Sequence, residues 1–506
     1  MFSNFRGTTP TGVWCMCLVS AGAFLFGFDN GWRGTIQGAE AFLRDFGSCE
    51  IVDGKQTCNI STPQRSAGSS VQSAGIMIGN LIAIYINKSL GRRLSLVVTG
   101  LISICGVLLE LTIRRWQTVA SVAMGLAANI VPIYLSETST KAARGSTINM
   151  YQNVQIIGFV VAGGVVFASV QRNDPAAYLI PLGVQLLAPS IMVTLSPLLP
   201  ESPTWLMRKG RVEEAVVSAN RLFGTPDDGF DGRSYIREIE VPIEVNRANP
   251  QSSNWRDAFR GPSLRRLLVA VGIQCFLQAQ GSSYIVNYMV PFLNDIGVTY
   301  VFPWIVGLSC TYYAGILTGH VLPDKYGRRP VIICSTLVSA VFMIIISALV
   351  TAVSPVTSQS GAACVAFLFL WQAATGVMSP LIWIICTDAA PTRNREKVLS
   401  LAIFVSFGVS LLIASVSPYI QDSGYGNLGG RIGAFSVVTS IWAFFRVPET
   451  KGLSLEELDF LYGKSVPARE SRKYKFASSI APEKEVVDAD LEDRENKAQL
   501  SVERIN

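Results

Sequence analysis

The sequence predicts an all-α membrane protein with twelve transmembrane helices in two six-helix pseudo-repeats. Three observations lead there. The first is composition. Of 506 residues, 49% are hydrophobic and only 15% charged, whereas a soluble domain usually carries about 25% charged residues. The second is a series of apolar runs of roughly 20 residues, the length that crosses a hydrocarbon core. The third is internal repetition, because three short motifs recur at the same place in each half.

The apolar runs lie at about Gly12–Phe28, Gly68–Ile86, Leu94–Ile113, Thr118–Leu135, Ile148–Val170, Ala177–Leu199, Leu267–Leu293, Val301–Leu322, Val331–Ala352, Gly361–Ile385, Val398–Ile420 and Ile432–Val447. Lipid offers no partner to a free backbone N–H or C=O, so each run is expected as a helix or packed inside the bundle. The last run has 16 residues, short of the usual range of about 17–25. It must thin the bilayer or recruit its flanks. Met1 to Thr11 is polar and the first run is long enough to stay as a span, so no cleavable signal is expected. Residues 1–199 then form the first half and 267–447 the second. Between them lies a polar bridge, 200–266, rich in arginine. The tail, 448–506, has a short helical stretch at Leu453–Tyr462, and its charged remainder after Lys464 is expected to be disordered.

Charge sets the orientation. With the N-terminus inside, the inner loops hold Lys88-Arg92-Arg93, Lys141-Arg144, the bridge, Lys325-Arg328-Arg329 and Arg393-Arg395-Lys397, and the outer loops are poorer in Lys and Arg. Both termini are therefore expected in the cytoplasm. The net charge of +6 is spread over these loops and calls for no nucleic-acid partner. The outer loop Arg44–Arg65 holds the glycosylation sequon Asn59-Ile60-Ser61, used or unused, and Cys49 and Cys58, paired or free. His320, the single histidine, lies in an apolar run and reads as structural.

The halves echo each other. Gly91-Arg92-Arg93 after the second run matches Gly327-Arg328-Arg329 after the eighth. Glu137…Arg144 after the fourth matches Asp388…Arg395 after the tenth. Pro200-Glu201-Ser202 after the sixth matches Pro448-Glu449-Thr450 after the twelfth. Together with Phe26-Gly27-Phe28-Asp29, Gln278-Ala279-Gln280-Gly281 and Trp383, these motifs resemble the sugar porter family of the major facilitator superfamily, in particular its fungal hexose and oligosaccharide members. The resemblance covers about residues 5–462 and is specific for family, not for substrate.

Acidic and basic groups at helix ends can form charge-assisted networks. The resemblance implies a cytoplasmic latch between the two halves from Arg92, Arg93, Glu137, Arg144, Glu201, Arg328, Arg329, Asp388, Arg395 and Glu449. It assigns proton coupling to Asp29, and the physics agrees. A carboxylate within a span costs about 2.5–3.5 kcal/mol on insertion scales, and desolvation favours its protonated form. It implies sugar contacts from Gln152, Gln278 and Trp383, with Gln280, Ser283, Asn287 and Tyr288 as further polar candidates. Leu277 stands where the family has a first glutamine, leaving one hydroxyl partner fewer.

The sequence also departs from the family. The usual partner of the acid at Asp29 is an arginine in a Gly-Arg pair of the fourth span, and Thr118–Gly125 contains none. Gly91 and Glu137 stand 46 positions apart, against 61 for Gly327 and Asp388, which points to a local deletion. Asp29 is therefore expected to be hard to ionise. A gene-model error and a loss of activity both fit the short fourth and twelfth spans.

The implied function is import of a sugar with a proton by alternating access, by a monomer in the plasma membrane whose partners are the sugar, the proton and the bilayer. The chain has no GxxxxGK[ST] loop and no metal or nucleophile constellation, so neither ATP-driven transport nor enzyme chemistry is expected, and no cofactor. Two other readings compete. One is a sugar sensor, against which stand the 54 residues after Gly452, few for a signalling tail. The other is a porter of a polyol-like solute such as quinate, inositol or a secondary metabolite.

Overall fold

The computed structural model describes residues 9–52, 55–113, 118–139, 144–224, 230–237, 239–240, 259–298, 300–352, 358–390, 395–422, 425–453, 455–464 and 466–471. Among them the spans of the first half are the helices Pro10–Ile36, Thr62–Leu90, Arg92–Ile113, Thr118–Glu137 and Arg144–Ser169, and a sixth made of two pieces, Ala176–Gln185 and Leu187–Leu195. The second half holds a broken seventh helix, then Val301–Tyr326, Arg328–Ala352, Ser358–Ala389, Arg395–Asp422 and Tyr425–Arg446. Ten of the twelve are apolar enough to cross a membrane by length and composition; the seventh and the twelfth complete the two sets.

Several boundaries move outward from the sequence reading. The first span begins with Pro10 and is capped by Thr9, whose Oγ1 accepts the Gly12 N–H at 3.0 Å. It continues past the polar Asp29-Asn30 to Ile36, because Asp29 is buried inside the bundle and the half-buried Asn30 donates back to the Phe26 carbonyl at 3.0 Å. The twelfth helix has 22 residues, so the expected shortness is corrected: it recruits the Gly-rich flank Tyr425–Gly430. Gly429 and Gly433 let that flank lie close against Ser347 and Ile344 of the ninth helix. The fourth helix has 20 residues, about 30 Å at 1.5 Å per residue, which also suffices.

The seventh helix runs Gly261–Leu277, opens into a π turn at Gln278–Ser282, and resumes at Ser283–Asp295. Gly281, with φ +111°, takes a conformation that a side chain disfavours. A Cβ there would also press on Ile432 and Trp371. Outside the spans, strands Ser48–Val52 and Lys55–Asn59 pair antiparallel and are joined by a Cys49–Cys58 disulfide, which answers the question left open by sequence. Asn59 is exposed. A short helix, Leu455–Gly463, follows the twelfth span, and its Tyr462 lies under the Arg266 guanidinium, 5.0 Å away.

Candidate functional site

The second helix, Thr62–Leu90, gives the site its depth scale. From its start, Thr62 donates to Asp422 at 2.7 Å, Ser66 to the Ser415 carbonyl at 2.8 Å, and Ser70 lies 2.6 Å from the Ser415 hydroxyl. Next come Gln72 and Ser73, which line a cavity of about 170 Å³. Beyond it, Asn80 donates to the Ser400 carbonyl at 2.8 Å. Each of these bonds from Thr62, Ser66, Ser70 and Asn80 reaches the eleventh helix, so the halves touch on both sides of the cavity. Gln152 with Ser379, at 3.1 Å, and Asn153 with His320, at 2.9 Å, add contacts between the fifth helix and the second half. His320 thus has a polar role at the contact of the halves.

The cavity wall sets amide, hydroxyl and aromatic side chains among aliphatic ones such as Ile76, Leu277, Val286 and Met378, and none of its described residues is charged. Gln278 donates to Ser406 at 3.3 Å and accepts from Ser283 at 2.5 Å. Asn287 donates to the Ser283 carbonyl at 2.8 Å. Trp383 sets its ring edge-on to Tyr151, 6.4 Å between centroids. Gln280 is fully buried with its amide nitrogen near Met378 Sδ, and its carbonyl oxygen has no partner among the described residues. The same is true of the Gln152 and Gln155 carbonyl oxygens, Gln274 Nε2 and Trp371 Nε1. A buried polar atom without a partner costs about 1–3 kcal/mol, so five such atoms around one cavity mark where a polar solute would bond.

Six of the seven expected contact residues, Gln152, Gln278, Gln280, Ser283, Asn287 and Trp383, therefore share one cavity. Tyr288 does not: its hydroxyl donates to the Ala414 carbonyl at 2.7 Å, away from the wall. Sequence reasoning passed over Asn30, Gln72, Gln155, Gln274 and Trp371. Gln72, Gln155 and Gln274 are polar residues in apolar runs, a signal that was available, whereas Asn30 falls just past the end of the first run.

Asp29 lies outside the cavity wall and is 1% exposed. Contrary to expectation, it has a cation. Arg33, one turn on, donates from Nε to Asp29 Oδ1 at 2.9 Å and from Nη2 to Glu110 Oε1 at 2.9 Å. Its Nη1 lies 3.5 Å from Ser121 on the fourth helix, so the guanidinium sits beside the span that lacks an arginine. Trp32 Nε1 and Gln185 Nε2 also donate to Asp29 Oδ1, at 3.3 and 2.6 Å. The expectation that Asp29 lacks a cation is therefore corrected: its partner comes from the first span instead of the fourth.

The motif residues form one cluster per half. Arg92 grips Glu137 with two bonds of 2.9 Å, and Glu201 accepts the backbone N–H groups of Arg92 and Arg93 at 2.9 and 3.2 Å. Burial pushes the Glu201 carboxyl above its ordinary range, although the N–H groups of Ser202, Arg92 and Arg93 pull the other way. In the second half Arg328 pairs with Asp388, and Glu449 accepts the backbone N–H groups of Arg328 and Arg329 at 2.9 and 3.3 Å. These bonds run within a half. The expected latch across the halves is not among the described contacts of these residues. The side chains of Arg144 and Arg395 lie outside the described residues.

Residues 14–462 match the model of a family described as "Sugar (and other) transporter". A major facilitator-type transporter, ecdD, of Aspergillus rugulosus is 29% identical over 97% of this chain and 95% of its own length. The high glucose sensor RGT2 of Saccharomyces cerevisiae is 29% identical over 88% of this chain, but the match spans 60% of the sensor. The low-affinity glucose transporter HXT3 of the same yeast is 25% identical over 91% of this chain and 84% of its own. Among solved structures, the inward-open xylose transporter XylE of E. coli superposes with a TM-score of 0.69 at 19% identity, covering 89% of this chain and 99% of its own.

Proposed function

The chain belongs to the sugar transporter family of the major facilitator superfamily, and from that premise we propose that it imports a neutral sugar together with a proton by alternating access. The observation that carries this reading is the cavity between the halves, where amides, hydroxyls and indoles sit among apolar side chains without a charged side chain among the described lining residues. Such a wall suits a hydroxyl-rich neutral solute. It disfavours a carboxylate such as quinate, whose charge would be buried unpaired. Gln152, Gln278, Gln280, Ser283 and Asn287 would bond hydroxyls, and Trp383 would face the ring. Gln155, Gln274 and Trp371, with their unpartnered atoms, join that set. Asp29 would carry the proton, and the motif clusters would stiffen each half so that it moves as a body.

The same reading places the protein in the plasma membrane as a monomer, with both termini cytoplasmic and Asn59 glycosylated outside. The likeness to RGT2 keeps a glucose-sensing role as the second reading. Uptake of labelled hexoses and pentoses in a transporter-null host, at two pH values, separates them. Transport predicts accumulation that rises with external acidity and a medium that turns alkaline as sugar enters. Asp29→Asn should abolish both the pH dependence and the alkalinisation. Uptake that ignores pH and survives this substitution would remove the proton from the mechanism.

A further inference from the structure

Just beyond the cavity, toward the Gly91-Arg92-Arg93 motif, neutral side chains tie the halves together. Gly79 on the second helix and Gly125 on the fourth let these helices touch through their backbones, because a Cβ on either would run into the other helix. One turn past Gly125 comes Asn129, which therefore reaches Asn80. Both belong to the first half, whereas Ser400, on the eleventh helix, belongs to the second. The Ser400 carbonyl oxygen can only accept, so Asn80 turns its Nδ2 there, at 2.8 Å, and offers its Oδ1 to Asn129. Asn129 Nδ2 then donates one hydrogen to Asn80 Oδ1 and the other to Ser400 Oγ, each at 2.9 Å. Its Oδ1 accepts from Asn87 at 3.2 Å. Asn80, Asn129 and Ser400 are 0%, 5% and 2% exposed. Ala128, next to Asn129, and Ile403, three residues from Ser400, line the cavity, so the network lies directly against it.

We propose that Asn80, Asn129 and Ser400 form the inner gate of the transporter, a lock that shuts the motif side of the cavity while solute loads from the other side. This deepens the alternating-access reading given above and rests on it. The chemistry suits a contact that must break in every cycle. When the halves part at this face, water enters and takes over each amide and hydroxyl bond at little cost. An ion pair in the same place would have to be desolvated each time the gate shut. The pairs of Arg92 with Glu137 and of Arg328 with Asp388 each join helices of one half, so they stay made while the halves move. On the far side of the cavity the second and eleventh helices meet through hydroxyls, where Ser66 donates to the Ser415 carbonyl and Ser70 lies against the Ser415 hydroxyl. These contacts oppose the gate. Removing bonds on one side therefore tips the molecule open on that side and shut on the other.

Distances between paired spin labels on the purified full chain, its unpaired cysteines replaced by alanine, read the two faces separately. Labels on Leu90→Cys and Tyr326→Cys, exposed at the motif face of opposite halves, report that face. Labels on Leu109→Cys and Tyr300→Cys, exposed toward the other end of the spans, report the opposite one. Asn129→Ala should raise the ratio of open to closed molecules at the motif face about three- to tenfold, and Ser400→Ala, which removes one acceptor, about threefold, as expected for bonds between membrane helices. In both variants the opposite face should close in step. Ser415→Ala should move both label pairs the other way. Ser400→Ala is the mildest change and decides the matter alone if Asn129→Ala does not fold. Motif-face distances that stay unchanged, or two faces that open together as in a generally loosened fold, overturn the gate. If the distances shift as stated but no sugar is carried in cells, the transport reading falls and the gate stands.

Discussion

The two halves agree closely at one face of the membrane and differ in depth. At the motif face, Arg92, Glu137 and Glu201 are matched by Arg328, Asp388 and Glu449, and in each half the last glutamate accepts two consecutive backbone N–H groups. Deeper in, the first half holds Asp29, Arg33 and Glu110, whereas the second presents Gln274, Gln278, Gln280 and Ser283 to the cavity. Duplication kept the parts that fix helix ends. Within the spans the halves differ in kind: the ion-paired cluster lies in the first half, while both halves give amides to the cavity. Under the proposed function, both halves complete the solute cavity, Gln152 and Gln155 from the first and Gln278 and Gln280 from the second, so moving the halves against each other opens and closes it.

The agreement at the motif face is not complete, and the largest expected effect exploits that. Glu137 is long enough to meet both Nε and Nη2 of Arg92 in a pair exposed by 3% and 11%. The shorter Asp388 is met by Nη1 of Arg328, in a pair exposed by 24% and 16%. Arg92→Ala should cost on the order of 3–5 kcal/mol, as expected when one partner of a buried pair is removed. Arg328→Ala should cost roughly 1–3 kcal/mol, the range for a charged hydrogen bond. Thermal unfolding in detergent compares them, and equal losses would mean that the difference in grip has no energetic weight.

A smaller effect tests the part that is shared. Gly91 and Gly327 have φ of +88° and +102°, and a Cβ on either would run into the carboxylate of Glu201 or Glu449. Gly91→Ala and Gly327→Ala should each cost about 1–3 kcal/mol through strain in a glycine-only region, and by similar amounts. Unequal losses would show that the two turns are not equivalent.

Much of this was legible in the chain. Span length follows from the hydrocarbon thickness and the motif pairs from local sequence, so both could be read without a structure. Gln152, Gln278 and Trp383 were legible through resemblance. Arg33 was not, because hydropathy breaks the first run at Asp29-Asn30, and only tertiary burial carries the helix on to Ile36. The twelfth helix was cut short for a related reason. Tyr425-Gly426-Asn427-Leu428-Gly429-Gly430 has poor helix propensity, and close packing on the ninth helix overrides it. Gln274 and Trp371 look like isolated residues in apolar runs, since the depth of the cavity is set by how helices pack and not by any one of them.

The smallest expected effect concerns pH and the first-half cluster. Burial is the larger influence on Glu201 and raises its folded pKa, while the backbone N–H groups of Ser202, Arg92 and Arg93 only reduce the rise. The folded protein therefore holds this proton more tightly than the unfolded chain does. The stability contributed by Glu201 is full below the ordinary glutamate value of about 4.3 and is lost as pH climbs through the raised value. Glu201→Gln cannot titrate. The difference in thermal midpoint, wild type minus variant, should accordingly shrink as pH rises through that window, whatever the other carboxylates do. A difference that grows with pH would mean that the N–H groups outweigh burial and that the carboxylate, not the acid, is the form the turn was built around.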